Sequence, residues 1–323
     1  MNFLRKKVAV LVVIFLFCSG TAFAKRGQTT PLKTIATTSD LAALLKEIGG
    51  NTVTVECLAD GGRDPHSVEP DSSFVLKLME ADLLVANGME LEISWLPISI
   101  ESSANQRIQP GSIGFLDASK SIAAFDLPNN LNKDSDNDHP VGNPHYLLDP
   151  ENARKVAAAI KDRLIALSPH QSRIIDRNFN NFDQRLQQKI RQWKMVLSPY
   201  RGYRFVSYHK TYPYFAARFG LINVGTIEPK AGVPPTAKHD AEVVDQMRAQ
   251  NVSMIWAEPW DENDDAKLIA KKTDAKVLLL NGMPTSSGKT SDYISTLDKM
   301  VTTIAKTLKD SPQRYYDLAD SNP

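Results

Sequence analysis

Cysteine is nearly absent: Cys18 and Cys57 are the only two in 323 residues. If the leader described below is removed, Cys57 remains alone, no intramolecular disulfide can form, and the fold must be held by its core. Cys57 sits in the apolar alternation TVTVECL, which marks a buried, inert thiol rather than a ligand. Neither sign of charge dominates. Lys plus Arg number 38 and Asp plus Glu 37, so nothing in the balance calls for nucleic acid or an anionic membrane surface. No apolar run is long enough to cross a bilayer as a helix. There is no internal repeat and no anchor motif, which leaves an adhesin or structural surface protein with little support. HExxH and a nucleophile elbow are also missing, which weakens the case for a hydrolase.

What is present begins with a targeting segment. Arg5, Lys6 and Lys7 form a positive start, Val8–Cys18 an apolar run, and Ala22-Phe23-Ala24 a small-x-small cleavage signal. Phe17 stands where a lipobox before Cys18 needs a small residue. The expectation is a signal peptide over 1–24, cleavage after Ala24 and a soluble, secreted product in the periplasm.

Residues 169–197 read PHQSRIIDRNFNNFDQRLQQKIRQWKMVL. Apolar side chains at Ile175, Phe179, Phe182, Leu186, Ile190 and Trp193 recur with gaps of three and four, one helical stripe. Ser168 is placed to cap it, and Pro169 suits a first helical position. At 1.5 Å per residue the helix would run about 43 Å, the width of a domain. Strand and helix alternate on both sides of it, the pattern of parallel βαβ units. The expected fold class is α/β: two doubly wound (βα)4-like lobes, 25–168 and 198–323, joined by one long rigid helix over 169–197. A long core helix within a single domain is the plainer alternative.

Three histidines lie on loops at expected carboxyl ends of strands, where open α/β sheets bind ligands. His66 is in DGGRDPHSVEP, His145 in VGNPHYLLDP, and His209 follows the strand Arg204–Tyr208. Any one of them alone reads more simply as a solvated loop side chain. Together they allow a site for a divalent ion between the lobes, because neutral imidazole is a favoured ligand. Their wide separation in sequence rules out a zinc finger or ribbon. His139, His170 and His239 have plainer places, in a polar loop, a helix start and a surface helix. The polar segment Asn129–Asp138 reads as a loop that could collect metal weakly through Asp134, Asp136, Asp138 and His139.

The segments SDLAALLKEIGGN, DPHSVEPDSSFVLKLMEADLLVANGMELE, GNPHYLLDP and SYHKTYPYFAARFGL resemble, in order and spacing, signatures of the zinc/manganese solute-binding proteins of bacterial metal ABC transporters (the cluster A-I family). The resemblance runs from about Thr38 to Leu308. It implies two α/β lobes joined by a rigid helix, one metal between them, and His66, His145 and His209 as ligands. The family's fourth ligand is commonly an Asp, and counting back from Tyr293 puts Asn281 at that position. An amide oxygen is a poor zinc ligand, so the fourth position is open, filled by water, or supplied by another carboxylate such as Glu258. For Glu258 the plainer reading is a strand-end carboxylate bonded to backbone N–H groups, and for Asn281 a loop cap. Asp64 is expected to accept a hydrogen bond from an imidazole.

Three nitrogens suit zinc, whereas the family's manganese sites carry more oxygen. Mn2+, Fe2+, Cu2+ and Ni2+ are not excluded. The expected function is capture of zinc outside the inner membrane and delivery to an ABC permease, by a monomer with no nucleic-acid partner and no enzymatic role. The rival is a hydrolase with a water on a three-His zinc; a metal-binding adhesin is the third reading.

Overall fold

A computed structural model describes residues 30–125, 141–261, 263–285 and 292–310. The targeting segment over 1–24 and the acidic loop with Asp134, Asp136, Asp138 and His139 lie outside the described residues. No described helix is long and apolar enough to cross a membrane.

The first lobe contains β1 (Leu32–Thr38), α1 (Ser39–Gly49), β2 (Val53–Ala59), α2 (Ser72–Met79), β3 (Leu83–Ala86), α3 (Leu96–Ser103), β4 (Phe115–Asp117) and α4 (Pro150–Leu167). After it comes α5 (Ser172–Leu197). The second lobe contains β5 (Arg204–Ser207), α6 (Pro213–Phe219), β6 (Ile222–Thr226), α7 (Ala237–Ala249), β7 (Met254–Ala257), α8 (Asn263–Thr273), β8 (Lys276–Leu279) and α9 (Tyr293–Lys309). Each lobe has one four-stranded parallel sheet. The strand orders, β2-β1-β3-β4 and β6-β5-β7-β8, are equivalent. In both, the chain reverses direction across the sheet next to the first strand, and the crevice there, at the carboxyl ends, is where such sheets bind ligands. The central strands β3 and β7 are buried along their whole length, as continuous apolar runs such as LLVA and MIWA require.

The long helix is both a strut and a core element. Its stripe buries Ile175, Phe182, Leu186, Ile190, Trp193 and Leu197, with Phe179 half-buried. These side chains belong to one continuous apolar cluster that includes Leu44, Leu45 and Ile48 of α1 and Leu297, Met300 and Ile304 of α9. Each large apolar side chain so buried contributes about 1.5–3 kcal/mol. Trp193 adds a hydrogen bond from its indole to Asp298 (2.8 Å), which also takes the Lys189 ammonium at 2.8 Å.

Local details differ from the sequence reading for identifiable reasons. Residues Pro169–Gln171 form a single 3-10 turn, and α5 then starts at Ser172 without a side-chain cap; the Ser168 hydroxyl faces His170 instead. The helix α4, not anticipated from the sequence, is started by Asp149, whose side chain accepts the Glu151 N–H, with Pro150 in the first turn. Pro97 stands at another helix start. It opens α3, and residues 89–95 are a series of turns, since Pro has no N–H to donate and is best accommodated in a first turn.

Polar contacts cross between the lobes. Arg218 on α6 forks onto both oxygens of Asp149 (2.7 and 2.6 Å), the Tyr293 hydroxyl donates to Leu147 O (2.5 Å), and the Asn143 amide donates to Lys210 O (2.8 Å).

Candidate metal centre between the lobes

Each of the three histidines follows a carboxyl end of the sheets, on a loop fixed by local hydrogen bonds. After β2, Asp64 accepts the His66 backbone N–H (2.9 Å) and the Ser67 hydroxyl (2.7 Å), folding the DPHS turn. Asp64 therefore holds the backbone of His66, and not an imidazole as expected. In the NPH segment, Asn143 accepts the His145 N–H at 2.9 Å while its amide reaches across to Lys210 O. One side chain thus links the backbone of His145 to the residue after His209. His209 itself leaves β5 two residues past Ser207 and is buried.

The three rings point their Nε2 atoms at a common centre. His66 Nε2 lies 3.3 Å from His145 Nε2, which lies 3.1 Å from His209 Nε2. Ring centroids are 5.1–5.3 Å apart. Among the described residues this is the one group of three His, Cys, Asp or Glu whose ligand atoms all fall within 4.8 Å of one another. A tetrahedral zinc with Zn–N bonds of 2.0–2.1 Å spaces its nitrogens by roughly 3.3 Å, so the spacing fits one small cation shared by three lone pairs.

The tautomer of His209 has a physical cause. Its Nδ1 is 2.7 Å from Glu228 Oε2, which leaves the proton on Nδ1 and the Nε2 lone pair directed at the centre. Glu228 follows β6; its own N–H bonds Tyr208 O (2.9 Å), and its other oxygen accepts the Gly232 N–H (2.7 Å). Glu228 is not among the residues that the sequence reading marks, although its place two residues beyond the end of β6, in GTIEPKAG, is a usable signal.

Acidic side chains stand around the same cleft. Glu258, just past β7, is 2% exposed, and neither carboxyl oxygen has a hydrogen bond of ordinary geometry among the described residues. The hydroxyls of Thr211 and Tyr212 and the carboxyl of Asp261 are its polar neighbours. It is thus not the backbone-bonded strand-end carboxylate that the plainer reading expected. Burial, and then the neighbouring charge of Asp261, push the Glu258 carboxyl far above the usual range, while burial raises Asp261 as well. Asp40, at the start of α1, also lines the cleft, bonds Thr38 and the Leu41 N–H, and is raised by burial. Burial disfavours the charged form of these groups, and a divalent ion nearby would oppose that effect.

Asn281 is placed differently from the expected fourth ligand. Its amide donates to Gly61 O (3.0 Å) and its oxygen accepts the Met283 N–H (2.9 Å), so both ends are bonded to backbone. Gly282 and Met283 line the cleft, and Asn281 does not. The role of Asn281 is to fasten the loop after β8 to the loop after β2. Only glycine permits that approach, since a Cβ on Gly61 would lie 2.1 Å from Pro284 O. Of the other histidines, His239 bonds Thr226 O on β6 (3.1 Å) and His170 stays near Ser168. Cys57 is half-buried, its thiol donates to Ala59 O, and burial pushes it up to about 12.

Comparison with known proteins agrees with this architecture. The family model described as "Zinc-uptake complex component A periplasmic" matches residues 35–307. The zinc-binding lipoprotein AdcA of Streptococcus pneumoniae is 24% identical over 93% of this chain and 60% of its own length, so the chain spans about three-fifths of that relative. The manganese ABC transporter substrate-binding lipoprotein PsaA of Streptococcus anginosus is 24% identical over 84% of this chain and 88% of PsaA. Among solved structures, a crystal structure of ZnuA superposes with a TM-score of 0.72 at 22% identity, covering 86% of this chain and 99% of that one. With a family match spanning most of the chain and the same two-lobe fold, this protein belongs to the zinc-uptake component A family of periplasmic solute-binding proteins.

Proposed function

We propose that the chain is the metal receptor of an ABC importer: it captures one divalent ion, zinc in preference to others, through Nε2 of His66, His145 and His209, and passes it to an inner-membrane permease. The observation that carries this reading is the Nε2 spacing of 3.3 and 3.1 Å at a cleft between two lobes. Three neutral nitrogens with a buried carboxyl nearby are what zinc asks for; manganese calls for more oxygen. The relatives named for zinc and for manganese show that both ions occur among similar proteins. We assign Glu258, a buried carboxyl in the lining of the same cleft, as the group that completes a tetrahedron, with water as the alternative; the two backbone bonds of Asn281 argue against that residue. Family membership argues for a transport protein over a hydrolase.

A receptor of this kind works outside the inner membrane, which agrees with the leader at 1–24 and a mature periplasmic monomer of two lobes about the 169–197 helix. Delivery requires the ligands to separate. They come from both lobes, so a small tilt about α5 would lengthen His209's bond relative to those of His66 and His145. The test is calorimetric titration of the mature protein with zinc and manganese, alongside His66→Ala, His145→Ala and His209→Ala. One zinc per chain and severe weakening in all three variants is the expected result. Unchanged affinity in His209→Ala would remove the site between the lobes.

A further inference from the structure

The loop between β3 and α3 has an unusual backbone. Gly88, Met89 and Glu90 follow one another with φ of 79°, 52° and 63°, all left-handed, and two of the three carry side chains for which that region is unfavourable. What holds them is Glu92. Its side chain folds back so that Oε1 accepts the Asn87 N–H (2.7 Å) and Oε2 the Gly88 N–H (3.1 Å). Thr37 at the end of β1 shares the Asn87 N–H at 3.1 Å. Glu92 is 4% exposed and forms no ion pair with a Lys or Arg among the described residues, so its partners are these backbone groups and Thr37.

From this loop, four hydrogen bonds go to the segments that carry two of the histidines. The Asn87 amide donates to Pro144 O (3.1 Å), and the Tyr146 hydroxyl donates to Asn87 O (2.7 Å), gripping the chain on both sides of His145. The Trp95 indole donates to Pro65 O (3.2 Å), and the Ser94 hydroxyl to His66 O (3.4 Å). A single short segment therefore braces the backbones of both first-lobe histidines, and its shape depends on one buried carboxyl.

We propose that Glu92 is a positioning residue for metal capture: it locks the 87–95 loop in its left-handed turn, and the loop in turn fixes His66 and His145 at the separation one ion requires. This rests on the reading of His66, His145 and His209 as ligands. Without an acceptor at position 92 the Gly88 N–H is left buried and unpaired, and Met89 and Glu90 relax out of the left-handed region. Asn87 and Trp95 move with them, and the two imidazoles lose their common centre before any ion arrives.

The test is zinc affinity by competition with a chromophoric chelator, together with the visible absorption of the cobalt(II)-loaded protein, which reports coordination geometry. Glu92→Met keeps the length of the side chain and removes both acceptors. It is expected to weaken zinc by about tenfold or more, the size seen when groups that orient ligands are lost, and to alter the cobalt spectrum. Glu92→Gln retains an acceptor oxygen and should stay within about threefold of the parent. Adding Glu90→Gly to Glu92→Met relieves the left-handed strain and should recover much of the loss, which a general packing defect would not allow. Affinity and cobalt spectrum of Glu92→Met equal to the parent's would overturn the proposal, as would failure of both Gln and the added glycine to restore binding. If Glu92→Met does not fold, Trp95→Phe removes only the bond to Pro65 O. A weakened site at unchanged melting temperature of the metal-free protein then supports the brace, and unchanged affinity overturns it. His145→Ala runs beside these: parent-like zinc binding there refutes the ligand assignment, whereas its loss with an unaffected Glu92→Met refutes the role of Glu92 alone.

Discussion

Replacing Glu228 with alanine removes the partner of His209 without touching any nitrogen that faces the centre. The bond is short, 2.7 Å, and both side chains are shielded, at 11% and 13% exposure. Water cannot readily substitute there. Three effects follow from the loss. The proton of His209 is free to sit on Nε2, the ring is free to rotate about its side-chain bonds, and the imidazole becomes a weaker donor to a cation. Losses of this kind cost roughly 10- to 100-fold in metal affinity, or about 1.4–2.7 kcal/mol. Glu228→Gln separates the contributions. Its amide oxygen still accepts the Nδ1 proton, so tautomer and ring orientation survive while the negative charge is lost; a drop of about threefold to tenfold is expected. Chelator competition with zinc on both variants measures these losses, and circular dichroism checks that the fold is kept. An alanine variant within twofold of the parent would refute the reasoning, because the hydrogen bond would then have no part in presenting His209.

The remaining predictions concern stability and the other side chains at the cleft. Asn281→Ala should lower stability by about 1–3 kcal/mol through loss of its bonds to Gly61 O and Met283 N–H, with little change in zinc affinity. Asn281→Asp should not tighten zinc binding, because an ionised carboxylate there faces Gly61 O and cannot donate; thermal melts and titrations of both variants check this, and tighter zinc binding by the Asp variant would return position 281 to the ligand set. Glu92 is pushed by burial to about 7 from an ordinary 4.5. A carboxyl raised in the folded state contributes stability that is present below pH 4.5 and is lost as pH rises through 7, so up to about 3 kcal/mol should disappear from the metal-free protein over that window. Denaturant unfolding of the parent and of Glu92→Gln across that range gives the difference curve, and a flat difference would contradict it. Saturating zinc at 100 times its dissociation constant should stabilise the fold by about 2.7 kcal/mol, read as a rise in melting temperature that His209→Ala does not show.

The sequence was most legible where a single periodicity decides the element. The stripe from Ile175 to Trp193 needed only the helical period, and the alternation of strand and helix gave both parallel sheets. Failures lie where tertiary hydrogen bonds override local preference. The turns at 89–95, just before Pro97 and α3, depend on Glu92 reaching back to Asn87 and Gly88, which no periodicity reveals. Helix α4 follows a loop of more obvious chemistry, and its only local start signal is DPEN, with a cap and a proline at the right offsets. At the cleft, three histidines after strand ends could be picked out by position, and the structure brings their Nε2 atoms together. Asn281 could not be judged in the same way. Its register in the chain matched a ligand position, but its bonds to Gly61 and Met283 depend on the approach of two loops from different lobes. Glu228 and Asn143 are not legible in the same way, because the Glu228 bond to His209 spans 19 residues and the Asn143 bond to Lys210 O spans 67.

The most direct test of the central claim is an anomalous difference map at the zinc absorption edge, from crystals of the zinc-loaded mature protein. One peak per chain, about 2.0–2.1 Å from Nε2 of His66, His145 and His209, is the predicted result. A peak bonded to fewer than three of these nitrogens, or lying outside the cleft between the lobes, would contradict it.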